Sequence, residues 1–201
     1  MVLLVATVAC GCKRESAPHP AQEPAEAFLD ALKYGDLDRA ADRHIDATSE
    51  GFYCGSEKFE RALQKAKEAR SQAECERVEK LGEAQLGELE PEARFIVQLV
   101  RFACEEPESG CADYGRRVVE SRLNQLARSD SASRWAVADY RIQRVLGGDG
   151  EAVVYVDLFS KADAARATHA TIGMREIGGE WVVTEPLRDE KTVDMGGPRP
   201  D

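Results

Sequence analysis

The sequence predicts an α+β fold: N-terminal helices, an inserted helical segment braced by disulfides at about 51–130, and then a four-stranded antiparallel sheet. Three observations predict it. Apolar residues recur at a spacing near four as far as about residue 128, and after Ser133 that spacing falls to two. Short turns rich in Gly and Asp then separate the alternating runs, which makes neighbouring strands antiparallel. With 201 residues, the chain is long enough for one domain with a real core and too short for two large ones. That domain is expected over residues 24–186.

Its first helix is predicted over Pro24 to Tyr34, opened by the proline and stopped at Gly35, with Phe28, Leu29 and Leu32 as the buried stripe. Asp36 caps a second, which presents Leu37, Ala40, Ala41 and Ile45 on one side. Ser56 to Leu81 reads as helix through Phe59, Leu63, Ala66, Val78 and Leu81, with a capping box at Ser71 and Glu74 where it would kink. Pro91 opens another, carrying Phe95, Ile96, Leu99, Val100 and Ala103, and Tyr114 to Arg128 supplies the last through Val118, Val119, Leu123 and Leu126.

The strands follow at Trp135 to Val145, Glu151 to Phe159, Thr168 to Glu176 and Glu180 to Glu185. Gly147-Gly148-Asp149-Gly150 and Gly178-Gly179 are their turns. Val153, Tyr155 and Phe159 fall on one face of the second strand, with Val154, Val156 and Leu158 on the other. Both faces are apolar, so the strand is expected to be central and covered by helices on both sides. Residues 187–201, with Gly196-Gly197-Pro198, show no apolar periodicity and are expected to be disordered.

Val2 to Ala9 is apolar apart from Thr7, ends at Cys10-Gly11-Cys12, and gives way to a polar, Pro-bearing stretch. A spanning helix needs about 20 apolar residues, so the run reads as an export signal rather than a membrane span. Thr7-Val8-Ala9-Cys10 resembles the signal of bacterial lipoproteins, in which a small-residue box ends in the cysteine that receives diacylglycerol. The resemblance implies a signal at 1–9, lipidation at Cys10 with Cys12 as the alternative acceptor, and a domain facing the periplasm or exterior of the cell envelope. Lipid chains contribute about 0.8 kcal/mol per buried CH₂, so several on one cysteine give lasting attachment. An ordinary buried N-terminal strand or helix with an incidental cysteine is the alternative for the apolar run. Residues 10–23, with Pro18 and Pro20 around His19, are expected to be a disordered spacer in which the histidine is solvated.

Cys54, Cys75, Cys104 and Cys111 remain, an even number in a chain read as exported, and are expected to form two disulfides. A zinc site is disfavoured because no Cys-x-x-Cys pair or nearby His stands at ligand spacing; four free thiols are the other alternative. A straight helix would hold Cys54 and Cys75 some 25 to 30 Å apart, at about 1.5 Å per residue, so a bond between them is not expected. Cross-links between helices are, with the pairing open.

The net charge is −10 and the 27 Lys and Arg are scattered, which speaks against a nucleic-acid partner. Arg116, Arg117, Arg122 and Arg128 share one helix, followed by Arg134, Arg141 and Arg144. They read as a solvated face with acidic neighbours, the alternative being an anionic head group or acidic partner. No hydrolase, metalloprotease, phosphate-loop or dinucleotide motif occurs, and neither a cofactor nor a metal is expected.

Two stretches carry a second resemblance: Phe28-Leu29-Asp30-Ala31-Leu32-Lys33-Tyr34-Gly35-Asp36 and Gly179-Glu180-Trp181-Val182-Val183. The order helix, Gly-Asp turn, helix, late meander resembles the nuclear transport factor 2-like (cystatin-like) superfamily over residues 24–50 and 135–186. It implies a curved, cone-like sheet around the first helices, enclosing a pocket that in relatives binds small apolar ligands, holds an active site or mediates contacts. An enzyme of this kind would use an inward Asp or His as base, with Asp139, Asp157 and His169 as weak candidates on strands and Tyr34 and His44 on helices. Asp42-Arg43-His44-Ile45-Asp46 is not expected to bind metal, because alternate residues on a helix do not share a face. The leading expectation is a non-catalytic, membrane-anchored module that binds an envelope protein or a small apolar ligand. A cone-pocket enzyme and a structural or assembly protein of the envelope are the alternatives.

Overall fold

The computed structural model describes residues 17–129, 136–161 and 164–189. The expected signal, with Cys10 and Cys12, lies outside the described residues, as do Arg134 and the tail from 190 onward. Among the described residues seven α-helices precede a four-stranded antiparallel sheet of order β1-β2-β3-β4, an α+β architecture whose sheet is open.

Helix α1 is Gln22–Tyr34 and buries Ala25, Phe28, Leu29, Ala31 and Leu32. It begins two residues before Pro24, and Ala21 is already fully buried. The expected spacer therefore ends earlier than residue 23. His19 is part of the domain rather than solvated: its ring meets Trp181 edge-on at 5.4 Å and its Nδ1 accepts a hydrogen bond from the Ala21 N–H. Gly35 stops α1 with φ 73°, a left-handed value that costs a glycine nothing. The Asp36 carboxylate then accepts from the Arg39 N–H to cap α2, Leu37–Asp42.

Here the chain departs from its predicted helix. Ile45 lies not on α2 but in a 3-10 turn, Ile45–Ala47, because the backbone at Arg43 and His44 turns aside to the sheet. The Val183 N–H donates to the Arg43 carbonyl at 2.7 Å, and His44 pairs with Val183 in a parallel bridge.

The run predicted as one helix is two: α3, Glu57–Ala69, and α4, Gln72–Glu79. Ser71 caps the second by accepting from the Glu74 N–H, as its place three residues upstream implied. Glu74 does not complete a capping box, since its carboxylate is held by Arg77 at 2.9 Å. A short α5, Glu83–Glu88, leads to α6, Pro91–Glu105, with proline at its first position. Helix α7 is Cys111–Ser129.

Disulfides join Cys54 to Cys111 and Cys75 to Cys104, with Cα separations of 5.1 and 5.7 Å. The first ties the turn before α3 to the start of α7, and the second ties α4 to α6. Beside the second, the Arg101 guanidinium donates to the Val78 and Leu81 carbonyls at 2.9 and 2.8 Å, closing the end of α4.

Two cores result. Phe59, Leu63, Val78, Leu99, Phe102 and Tyr114 form one among α3, α4, α6 and the start of α7. The other packs α1, α2 and the middle of α7 (Val119, Leu123) onto the sheet. Helix α7 spans both, so the inserted segment and the sheet domain share one rigid element.

The strands are β1 (Val137–Gly148), β2 (Glu151–Ser160), β3 (Ala167–Ile177) and β4 (Glu180–Asp189). Asp149 and Gly150, both with positive φ, make the β1–β2 turn, and Gly178 and Gly179 make the β3–β4 turn. Strand β4 runs past its predicted end: Pro186 does not stop it, and Leu187 is 1% exposed in the core. β2 is an inner strand as expected, but its two faces differ. Ala152, Val154, Val156 and Leu158 enter the core with the helices, whereas Val153, Tyr155 and Phe159 join neither core. Among the described residues, the helices cover the sheet on one face only.

Candidate functional site

The space between helices and sheet is filled by Phe28, Leu29, Leu32, Val154, Val156, Leu158 and Ile172. The polar groups that gather do so on the other face. Strand geometry puts Tyr155 and Asp157 there together, about 7 Å apart along β2. The backbone register sets Asp157 between Arg141 of β1 and His169 of β3, and Tyr155 between Arg144 and Thr171.

A β-bulge adds the remaining member. The β1–β2 register shifts between Ile142 and Arg144. Gln143 and Arg144, consecutive residues that a regular strand would send to opposite faces, both reach this one. Gln143 Nε2 donates to Asp157 Oδ2, and the Arg144 guanidinium lies over the Tyr155 ring, 4.3 Å from its centroid.

Asp157 and His169 form the centre of the cluster. Asp157 is 8% exposed and its Oδ1 is 2.6 Å from His169 Nδ1, while the His169 side chain is 66% exposed. A carboxylate accepts, so the Nδ1–H donates and the ring is held with Nε2 as its free edge. Gln143, Arg144, Tyr155, Asp157 and His169 line an open groove of about 440 Å³. Its working parts are a fixed imidazole and a guanidinium clamped to an aromatic face.

The other sequence candidates go elsewhere. Asp139 is exposed and bound to Lys33 of α1 at 2.9 Å, which holds its carboxyl below the usual range. Tyr34 is 76% exposed. His44 is buried at the bridge to β4, where its Nδ1 accepts from the Asp46 N–H, and desolvation lowers its pKa against the opposing pull of Asp46. Neither Asp157 nor His169 enters the space between helices and sheet, so the inward base that the cone resemblance implies is supplied by neither. Among the described residues no group of His, Cys, Asp and Glu is placed to hold a metal ion.

Two of the α7 arginines meet acidic neighbours: Arg116 pairs with Asp38 and Asp42, and Arg117 with Glu105 and Glu106. Sequence reasoning missed Gln143 and Tyr155 as site residues and left Arg144 in a general basic patch. A signal existed. Tyr140, Ile142 and Val145 all pack on the core, so the apolar alternation of β1 slips by one residue at 143–144, the trace of a bulge. Among the described residues no helix is long and apolar enough to cross a membrane. Comparison with protein-family models, with curated proteins and with solved structures finds no match to this chain.

Proposed function

We propose that this chain is an exported bacterial envelope protein, tethered to a membrane by lipid on Cys10, that works as a non-catalytic binding module. Its ligand site is the groove on the sheet face that the helices leave uncovered. One observation carries the binding reading: polar groups fixed in place but still holding free hydrogen-bonding edges line that groove, while apolar side chains fill the space on the helical side. The two disulfides support residence in an oxidising compartment, since such bonds persist there and not in a reducing cytosol.

An enzyme is the second reading, favoured by the Asp157–His169 contact, because a carboxylate-oriented imidazole is a general base by construction. It is the weaker one, since the groove is open to water rather than enclosed around a reacting centre.

Intact mass of the membrane-extracted protein, before and after reduction and alkylation, tests the tether. The expected species begins at Cys10, carries acyl mass and takes up four alkyl groups only after reduction. A species that keeps Met1, lacks acyl mass and alkylates without reductant would end the proposal. For the binding reading, Leu146, an exposed apolar residue of β1 on the same sheet face just beyond the groove, is replaced by a photoreactive amino acid in cells. The module reading requires a defined adduct there that a control probe at Phe52, exposed in the helical part, does not give.

A further inference from the structure

We propose that Arg144 and His169 together form a subsite for a phosphate-type oxyanion, a free phosphate ester or a phospholipid head group; this rests on the groove being the ligand site. Several cations of this acidic chain are already committed to carboxylates. Lys33, Arg61, Arg77, Arg116, Arg117 and Arg175 each pair with a carboxylate. Arg144, like Arg141 and several other cations, makes no such pair among the described residues; what sets it apart is its place in the groove. Its guanidinium lies over the Tyr155 ring instead, 4.3 Å from the centroid, a contact that holds the charge against the groove.

His169 is constrained from the other side. Its Nδ1 is engaged by Asp157, whose second oxygen takes the Gln143 amide, so the buried carboxylate has both oxygens occupied. The ring therefore cannot turn without losing that bond, and Nε2 is the edge left to the groove. Nε2 offers a donor to an oxyanion only in the imidazolium form, with Asp157 balancing the charge; in the neutral ring the same edge accepts. Neighbouring Arg141 is exposed and unpaired among the described residues, on the backbone position directly opposite Asp157.

The pieces converge on one ligand chemistry. Arg144 and His169 stand on adjacent rows of the same sheet face and line the same groove of about 440 Å³. A tetrahedral oxyanion offers oxygens to donors arriving from two directions, and charge-assisted hydrogen bonds to it are the strong kind. The bulge at Gln143 has a rationale in this arrangement. It lets one strand supply both the residue that secures Asp157 and the cation beside it, a placement typical of bulges at binding sites.

The test uses the full lipidated chain in nanodiscs of phosphatidylcholine, observing the imidazole NMR signals of its three histidines, His19, His44 and His169. Inorganic phosphate and glycerol 3-phosphate are titrated in one arm. The other arm replaces a third of the lipid with phosphatidylglycerol. The expected result is a saturable shift of the His169 signal that Arg144→Gln weakens roughly tenfold or more. His169→Gln should weaken binding similarly, read by calorimetry.

Arg175→Gln removes an equal charge from the same sheet but one already committed to Glu151, and it should leave the affinity unchanged. Response in the soluble arm assigns a small phosphate ester, and response only to phosphatidylglycerol assigns the head group. Silence of His169 in both arms, or equal weakening by Arg175→Gln, overturns the subsite. Failure here with a defined adduct at the Leu146 probe leaves the groove as a ligand site of another chemistry, whereas absence of that adduct removes the groove reading itself.

Discussion

The Asp46 carbonyl packs directly against the Cα of Gly115, so the 3-10 turn at Ile45–Ala47 and helix α7 touch backbone to backbone. A Cβ on Gly115 would collide with that carbonyl oxygen and come within 3.1 Å of the Tyr53 ring. This contact is where the sheet core and the helical core meet along α7. In an open helix, replacing Gly by Ala stabilises by about 1 kcal/mol. At Gly115 the sign reverses, because forced overpacking typically destabilises by about 1–3 kcal/mol. Gly115→Ala is therefore expected to lower the urea midpoint clearly. Gly87→Ala in α5, where a Cβ meets nothing within 4 Å, is expected to raise it slightly.

The two disulfides close loops of different size, with sequence separations of 57 and 29. Loop-closure entropy alone gives about 4.2 kcal/mol for the longer and about 3.6 for the shorter at 25 °C. Cys54→Ser with Cys111→Ser is expected to destabilise more than Cys75→Ser with Cys104→Ser, measured by denaturant unfolding. The Cys75–Cys104 bond sits where Arg101 also ties α4 to α6, so the domain retains a local brace when that bond is removed. The reverse order would mean that strain in the folded state, rather than the freedom of the unfolded chain, dominates.

Those pairings mark the limit of what the chain discloses by itself. Four cysteines and a helical period could say that cross-links exist, because both are local properties. Which thiol meets which depends on how α6 folds back along α3 and α4, and no local pattern carries that. The sheet was legible for the same reason that its turns were: Asp149-Gly150 and Gly178-Gly179 set two hairpins whose geometry follows from the residues in them. The site was half legible. Asp157 and His169 could be named as strand residues of interest, but their meeting is a cross-strand register. Arg144 came into the same groove only through a bulge, which appears in the sequence as a single missed beat between Ile142 and Val145. The uncovered sheet face was misjudged because Tyr155 and Val153 look like core residues. Tyr155 is buried on that face with Arg144 lying over its ring.

His44 gives the fold a pH limit on the acid side. Burial lowers its pKa from the ordinary 6.5, with Asp46 raising and Arg122 lowering it to lesser degrees. The unfolded chain thus takes up a proton at this site before the folded one does. The neutral imidazole's contribution is present in full above about pH 6.5 and is lost as pH falls through the folded-state pKa. Urea unfolding from pH 8 to pH 5 should show a loss of stability beginning just below pH 6.5. His44→Asn keeps an acceptor for the Asp46 N–H and cannot protonate, so the loss over this window should be shallower. Equal slopes in the two proteins would remove His44 as the cause.

Asp157 and His169 make a prediction that separates an organised site from a chance surface pair. Because the carboxylate accepts from Nδ1–H, the neutral imidazole should be the Nδ1–H tautomer, the one disfavoured in free histidine. Nitrogen-15 shifts of His169 at pH 8 should show a protonated Nδ1 and a bare Nε2. Asp157→Val keeps a strand-forming side chain and removes the acceptor; the ring should then revert to the Nε2–H form. The substitution should change stability modestly, by about 1–3 kcal/mol at most, because Gln143 and His169 both have solvent to bond with when the carboxylate is gone. If His169 is already in the Nε2–H form in the unmodified protein, or tumbles between both forms as an exposed histidine does, the imidazole is not held. The groove then offers no oriented edge for a ligand to meet.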